Sequence, residues 1–154
     1  MPVAIDERLN ELGITLPEPP KPVAVYVPAV RTGNLLFISG QLPTEGGRLA
    51  RTGKVPADVS PEDAYQAARV AAINCLAVAK GELGSLDRVS RIVRVTGHVA
   101  SSPGFTAQPA VINGASELLG EVFGERGRHS RAALGAAELP LGACVEIEMI
   151  LEVE

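Results

Sequence analysis

The chain has 154 residues, 46% hydrophobic and 21% charged, which is one domain's length with enough apolar material for a core and excludes a disordered or collagen-like chain. Its 14 Lys and Arg against 18 Asp and Glu give a net charge of -4, and aromatic residues are 3% with no Trp. Neither a cationic phosphate-binding surface nor a base-stacking platform fits those figures, so nucleic acid is not an expected partner. No run approaches the roughly 20 apolar residues of a membrane span, and MPVAIDERLNELGI carries acids where a secretory leader needs an apolar stretch. A soluble, cytoplasmic protein without a membrane partner is the expectation.

Asp6 to Leu12 predicts a short helix ended by Gly13. Leu16 to Pro22 holds four prolines in seven residues and predicts an extended arm on the surface or against a neighbouring subunit. The division expected is therefore an N-terminal helix and arm over 1–22 and a domain over 23–154. Val23 to Val30 and Asn34 to Ser39 read as strands, with Gly33-Asn34 favouring a hairpin between them. Leu35 to Ile38 is apolar on both faces and predicts a strand covered on both sides. Thr44 to Gly53 is polar and Gly-rich, a loop or hairpin tip.

Ser60 reads as an N-cap, Pro61 as the first helical residue, and Glu62 and Asp63 face the positive end of the dipole. Ala64, Ala68, Ala71, Cys75 and Ala79 recur at helical spacing, and Gly81 or Gly84 should end the helix. Arg88 to Val99 reads as a strand with one or two irregular positions. Gln108 to Gly124 predicts a second helix, in which Gly114 and Gly120 each weaken it by about 1 kcal/mol and hint at close packing. Arg131 to Glu138 is a strand of small residues. Ala143 to Glu154 has the strongest strand pattern, with Val145, Ile147, Met149, Leu151 and Val153 on one side and Cys144, Glu146, Glu148, Ile150 and Glu152 on the other. The order predicts an α+β domain: a mixed six-stranded sheet with two helices on one face, the other face covered by oligomerisation.

Cys75 and Cys144 lie far apart in apolar surroundings and read as buried reduced thiols. With His98 and His129 they form no metal spacing, and no cofactor motif is present, so no metal and no cofactor are expected. Three places suit chemistry. Ser39-Gly40, straight after a strand, lets a ligand approach the backbone, though an ordinary turn explains it equally. Arg131, on a strand, suits bidentate binding of a carboxylate, or is one more charge in the basic run from Arg126. Glu146, flanked by Val145 and Ile147, suits general acid/base work on water if half-buried, or keeps a solvated face soluble.

Tyr26-Val27 followed by Gly33-Asn34-Leu35-Leu36-Phe37-Ile38-Ser39-Gly40-Gln41-Leu42-Pro43 resembles the N-terminal signature of the RidA/YjgF family, also called endoribonuclease L-PSP. Arg131-x₇-Leu139-Pro140-x₄-Val145-Glu146-Ile147-Glu148 is similar to its C-terminal signature in register, and Asn113 resembles the Asn of its second helix. The resemblance implies a chorismate mutase-like fold and a homotrimer with a central barrel-like core and clefts between subunits. It implies Arg131 as the clamp of a substrate carboxylate, Gly40, Ser39 and Tyr26 as pocket lining, and Glu146 positioning or activating a water. Ala133 stands where the deaminase branch often has Cys, so a thiol role is absent there. The N-terminal extension and one extra residue between Asn113 and Arg131 are further departures, and VINGASELL and VFGERGRHSR resemble a distinct YjgF-like subgroup. The implied activity is hydrolysis of enamine or imine intermediates such as 2-aminoacrylate to a 2-keto acid and ammonia. The alternatives are a non-catalytic trimer binding small carboxylates and, against the charge, an endoribonuclease.

Overall fold

The computed structural model describes residues 4–19 and 25–154. In chain order these form α1 (Ile5–Glu11), β1 (Ala29–Thr32), β2 (Leu35–Gln41), β3 (Thr44–Glu45), β4 (Arg48–Leu49), α2 (Pro61–Leu83), β5 (Val89–Ala100), α3 (Gln108–Phe123), β6 (Ser130–Ala136) and β7 (Val145–Val153).

Local sequence sets most boundaries. Thr32 pairs with Leu35 across the two-residue Gly33-Asn34 turn, where Gly33 takes φ +58°. Among the described residues the first strand begins at Ala29, and Val25 to Pro28 of the expected strand lie outside it. Pro28 has no N–H for a ladder, and its carbonyl instead accepts from the Ser39 N–H at 2.8 Å. Residues 23 and 24 of that expected strand, and 20–22 of the expected arm, lie outside the described residues. Ser60 caps α2 by accepting from the Asp63 N–H at 3.1 Å. Gly84, at φ +80°, ends it, while Gly81 continues the helix beneath the Pro19 ring.

The main sheet has five strands in the order β1-β2-β7-β5-β6, antiparallel except for the parallel β5–β6 pair. The expected sixth strand is absent from it among the described residues. Within the expected loop or hairpin tip of Thr44 to Gly53, β3 and β4 pair only with each other. The expected N-terminal helix forms beside the two helices on the sheet. α2 packs on β7 and β2, α3 packs on β5 and β6, and α1 packs against α3. α1 buries Ile5 and Leu9 and is tied down by the Ile5 N–H, which donates to Asp87 Oδ1 at 2.9 Å. The arm thus starts from a helix docked on its own chain.

Buried alanines at 64, 68, 71, 72 and 79 bring α2 close to the sheet. Opposite them lie Val145, Ile147, Met149, Leu151 and Val153, all buried, as the alternation predicts. The irregular positions expected in β5 are two bulges against β7, between Val89 and Arg91 and between Ile92 and Arg94. The opposite face of the sheet carries Phe37 and Leu134, exposed by 41% and 48%, beside Thr96, His98, Glu146, Glu148 and Ile150. Leu35 to Ile38 is therefore covered on one face only within a single chain. Cys75 and Cys144 are free and buried, and burial pushes both thiols up from their ordinary pKa. Cys144 precedes the strand and does not share the side of Glu146. Among the described residues no helix is long and apolar enough to cross a membrane.

Candidate active site

The β2–β7 ladder pairs Ile38 with Met149 and Gln41 with Ile147, so β2 spends one extra residue over Ser39-Gly40. That bulge turns the backbone of Gly40 onto the side chain of Glu146. A Cβ at Gly40 would stand 2.5 Å from Glu146 Oε1 and 2.9 Å from its carboxyl carbon. Any side chain at this position would have to push the Glu146 carboxyl aside. Ser39 spends its hydroxyl on the Val27 carbonyl, at 2.8 Å. It thereby ties the segment of Tyr26, a residue 64% exposed, to the same end of β2.

Glu146 is half-buried, and His98 lies directly across on β5. Burial is the main reason its pKa rises above the ordinary 4.5; the nearby Glu148 adds to the rise and His98 opposes it. His98 Nε2 is 3.3 Å from Glu148 Oε2, so that carboxylate already has a partner while Glu146 does not share it. The raised pKa has a stability consequence of known sign. The folded chain holds the Glu146 proton more tightly than the unfolded chain, so stability falls as pH rises from 4.5 through the folded value. Glu146→Gln is therefore expected to raise Tm near neutral pH, with the gain shrinking to nothing as pH drops below 4.5. Melting curves across that range check it.

Arg131 sits on β6 beside Val95, hence on the helix side of the sheet. Its guanidinium meets one face of α3. Nη1 donates to Asn113 Oδ1 at 2.8 Å and to Ser116 Oγ at 3.0 Å, and Nη2 donates to the Pro109 carbonyl at 3.2 Å. Positions 109, 113 and 116 share a stripe because they follow helical spacing. Among the described residues three of the five N–H bonds are thus partnered, leaving two, the number a bidentate carboxylate needs. Ala133 pairs with Gly97 and packs on the core from the same side.

The structure brings Gly40 to Glu146, and Asn113 to Arg131. It does not bring the two groups together in one chain. Leu134, His98 and Glu146 align across β6, β5 and β7 on the open face, while Arg131 and Ala133 lie on the other. Alternation along β6 and β7, read with their register against β5, sends the Arg131 and Glu146 side chains to opposite faces of the sheet. Sequence reasoning missed Ser116 and the Pro109 carbonyl as partners of Arg131, and His98 as the neighbour of Glu146. Helical spacing from Asn113 was the signal for the first two; strand register, which no local pattern encodes, was needed for His98.

This sheet order, with two long helices on one face, defines a chorismate mutase-like α+β domain. Residues 6–153 match the family described as "YjgF/chorismate mutase-like, putative endoribonuclease". The chain belongs to that YjgF/RidA family. It is 43% identical over 146 residues to Protein TCP17 of Trypanosoma cruzi, covering 94% of this chain and 91% of that one. It is 30% identical over 141 residues to a 2-iminobutanoate/2-iminopropanoate deaminase of Dermatophagoides farinae, covering 92% and 95%. The crystal structure of a protein of unknown function from Agrobacterium tumefaciens matches with a TM-score of 0.92 at 50% identity, over 97% of this chain and 92% of that one.

Proposed function

We propose that this protein hydrolyses small imines that bear a carboxylate, of the 2-iminopropanoate type, to a 2-keto acid and ammonia. The observation that carries the reading is Glu146: a half-buried carboxyl of raised pKa, pressed against a backbone left bare at Gly40. Such a group accepts a proton from water and returns it more readily than a carboxylate of ordinary pKa. The relationship to an imine deaminase at 30% identity supports the same chemistry.

In the proposed reaction a water adds to the C=N carbon while Glu146 takes its proton. Glu146 passes that proton to the imine nitrogen, giving a carbon that bears both OH and NH₂. Glu146 then takes the hydroxyl proton and delivers it to the nitrogen as the C–N bond breaks, so that ammonia leaves, the C=O bond forms and the carboxylate is regenerated. The two unpartnered N–H bonds of Arg131 hold the substrate carboxylate so that this carbon faces the water. Since Arg131 and Glu146 face opposite sides of one sheet, the site is completed between subunits. The uncovered apolar side chains Phe37 and Leu134 support a homotrimer closed over the open face.

The test is ammonia and keto-acid release from 2-aminoacrylate generated in situ by a dehydratase. The parent is expected to accelerate release. Arg131→Ala is expected to lose roughly 10- to 100-fold in kcat/KM, the worth of hydrogen bonds to a charged group. Equal turnover by both proteins contradicts the clamp. Pyruvate binding that needs Arg131, with no ammonia released by the parent, would instead favour a non-catalytic carboxylate-binding trimer.

A further inference from the structure

Arg131 is one end of a directed chain of hydrogen bonds that reaches His129. Ser116 Oγ lies 3.0 Å from Arg131 Nη1 and 2.9 Å from His129 Nε2, and His129 Nδ1 lies 2.6 Å from the Gly127 carbonyl oxygen. A carbonyl only accepts, so Nδ1 carries the ring hydrogen. In the neutral ring Nε2 is then bare and takes the hydroxyl hydrogen of Ser116. That leaves the lone pairs of Oγ for Arg131, whose guanidinium only donates. Every donor in the chain has one direction, and a hydroxyl that donates to imidazole is a better acceptor for the guanidinium.

We propose that Ser116 and His129 are positioning residues that hold Arg131 for the substrate carboxylate, and that they do so while His129 is neutral; this rests on the reading of Arg131 as the clamp. A second proton on the ring turns Nε2 into a donor. The Ser116 hydroxyl hydrogen then has to leave the line, and a new cation stands one hydroxyl away from the guanidinium. The charged groups around the ring add little to offset it. Arg128 adjoins it in sequence. Arg91 from β5 and Glu152 from β7 share with His129 a groove of about 510 Å³. Arg126 is turned away to donate to the Val89 carbonyl, at 3.0 Å. Arg91, Arg128 and Arg131 thus stand around this ring against Glu152 and Glu125, the latter already paired with Arg128 at 3.6 Å.

The measurement is pyruvate affinity by calorimetry over a range of pH, with KM and kcat for imine hydrolysis alongside. Ser116→Ala and His129→Leu are each expected to weaken pyruvate binding about tenfold. KM should rise by more than kcat falls. Ser116→Thr, which keeps the hydroxyl, and His129→Gln, which keeps an acceptor without titrating, are expected to restore affinity. The parent should lose affinity on acidification, and His129→Gln should flatten that loss. If Arg131→Ala binds pyruvate as the parent does, the clamp reading fails and the proposal with it. If Arg131→Ala abolishes binding while Ser116→Ala and His129→Leu keep the parent's affinity and His129→Gln keeps its pH profile, the positioning role alone is overturned. Should His129→Leu not fold, Ser116→Ala and His129→Gln carry the comparison.

Discussion

Glu146→Gln is expected to lower kcat for imine hydrolysis by about 10²- to 10⁴-fold, the usual worth of a positioned general base, while pyruvate binding changes little. Gln keeps the size and planarity of the side chain and removes only the ability to take a proton. The same substitution should stabilise the fold near neutral pH, since it removes a carboxylate whose burial penalises the charged form. A variant that is more stable and far less active is a signature that collapse of the site cannot mimic. Steady-state kinetics and melting curves on one preparation read both. Gly40→Ala approaches the same carboxylate from the other side. Its methyl would lie 2.5 Å from Glu146 Oε1, so it should depress kcat by displacing the base without removing it.

Gly114→Ala is expected to destabilise the chain by about 3 kcal/mol, the upper end of what overpacking costs, and to lower Tm by roughly 10 °C for a domain of this size. A methyl there collides with the backbone carbonyl oxygen of Tyr65 and stands 3.3 Å from Ala68 Cβ. Backbone cannot rotate away, so the two helices must part. The same seam holds the Tyr65 hydroxyl, which donates to Glu117 at 2.6 Å, and the Arg69–Glu121 ion pair at 3.2 Å. The bond to Glu117 is the main reason the Tyr65 pKa is raised, and it would lengthen as well. Gly120→Ala, on the same helix, meets nothing within 4 Å. It is expected to stabilise by about 0.5–1 kcal/mol through helix propensity alone. Denaturant titration of the pair separates close packing from propensity; equal effects at both positions would contradict the packing described.

Those two glycines show how far the sequence carries. Both weaken a helix equally on paper, and only the position of α2 tells them apart. Elements with strong local signals were legible: the Ser60-Pro61 helix start, the Gly33-Asn34 turn, and the alternation from Val145 to Val153. The strand count was not: the segments with strand patterns number five, as in the sheet, and the expected sixth had no segment of its own. The candidate site divided along the same line. Gly40 and Glu146 were each visible as unusual residues, and their contact follows from a one-residue bulge that no spacing reveals. Arg131 was visible as a charge among small residues. Its three α3 partners and the link to His129 depend on how α3 crosses β6, which is tertiary packing. The opposite facing of Arg131 and Glu146 was hidden most deeply, since it needs the register of β6, β5 and β7 together.

The central claim is that Arg131 of one subunit and Glu146 of another form each site. It is tested by mixing Arg131→Ala and Glu146→Gln proteins, dissociating them and letting them reassemble. Each variant alone should be nearly inactive on 2-aminoacrylate. The mixture should recover roughly a quarter of parental activity, the share of clefts to which random assortment in a closed ring gives both intact residues. A mixture no more active than its two components would place both residues in the site of a single chain and contradict the account.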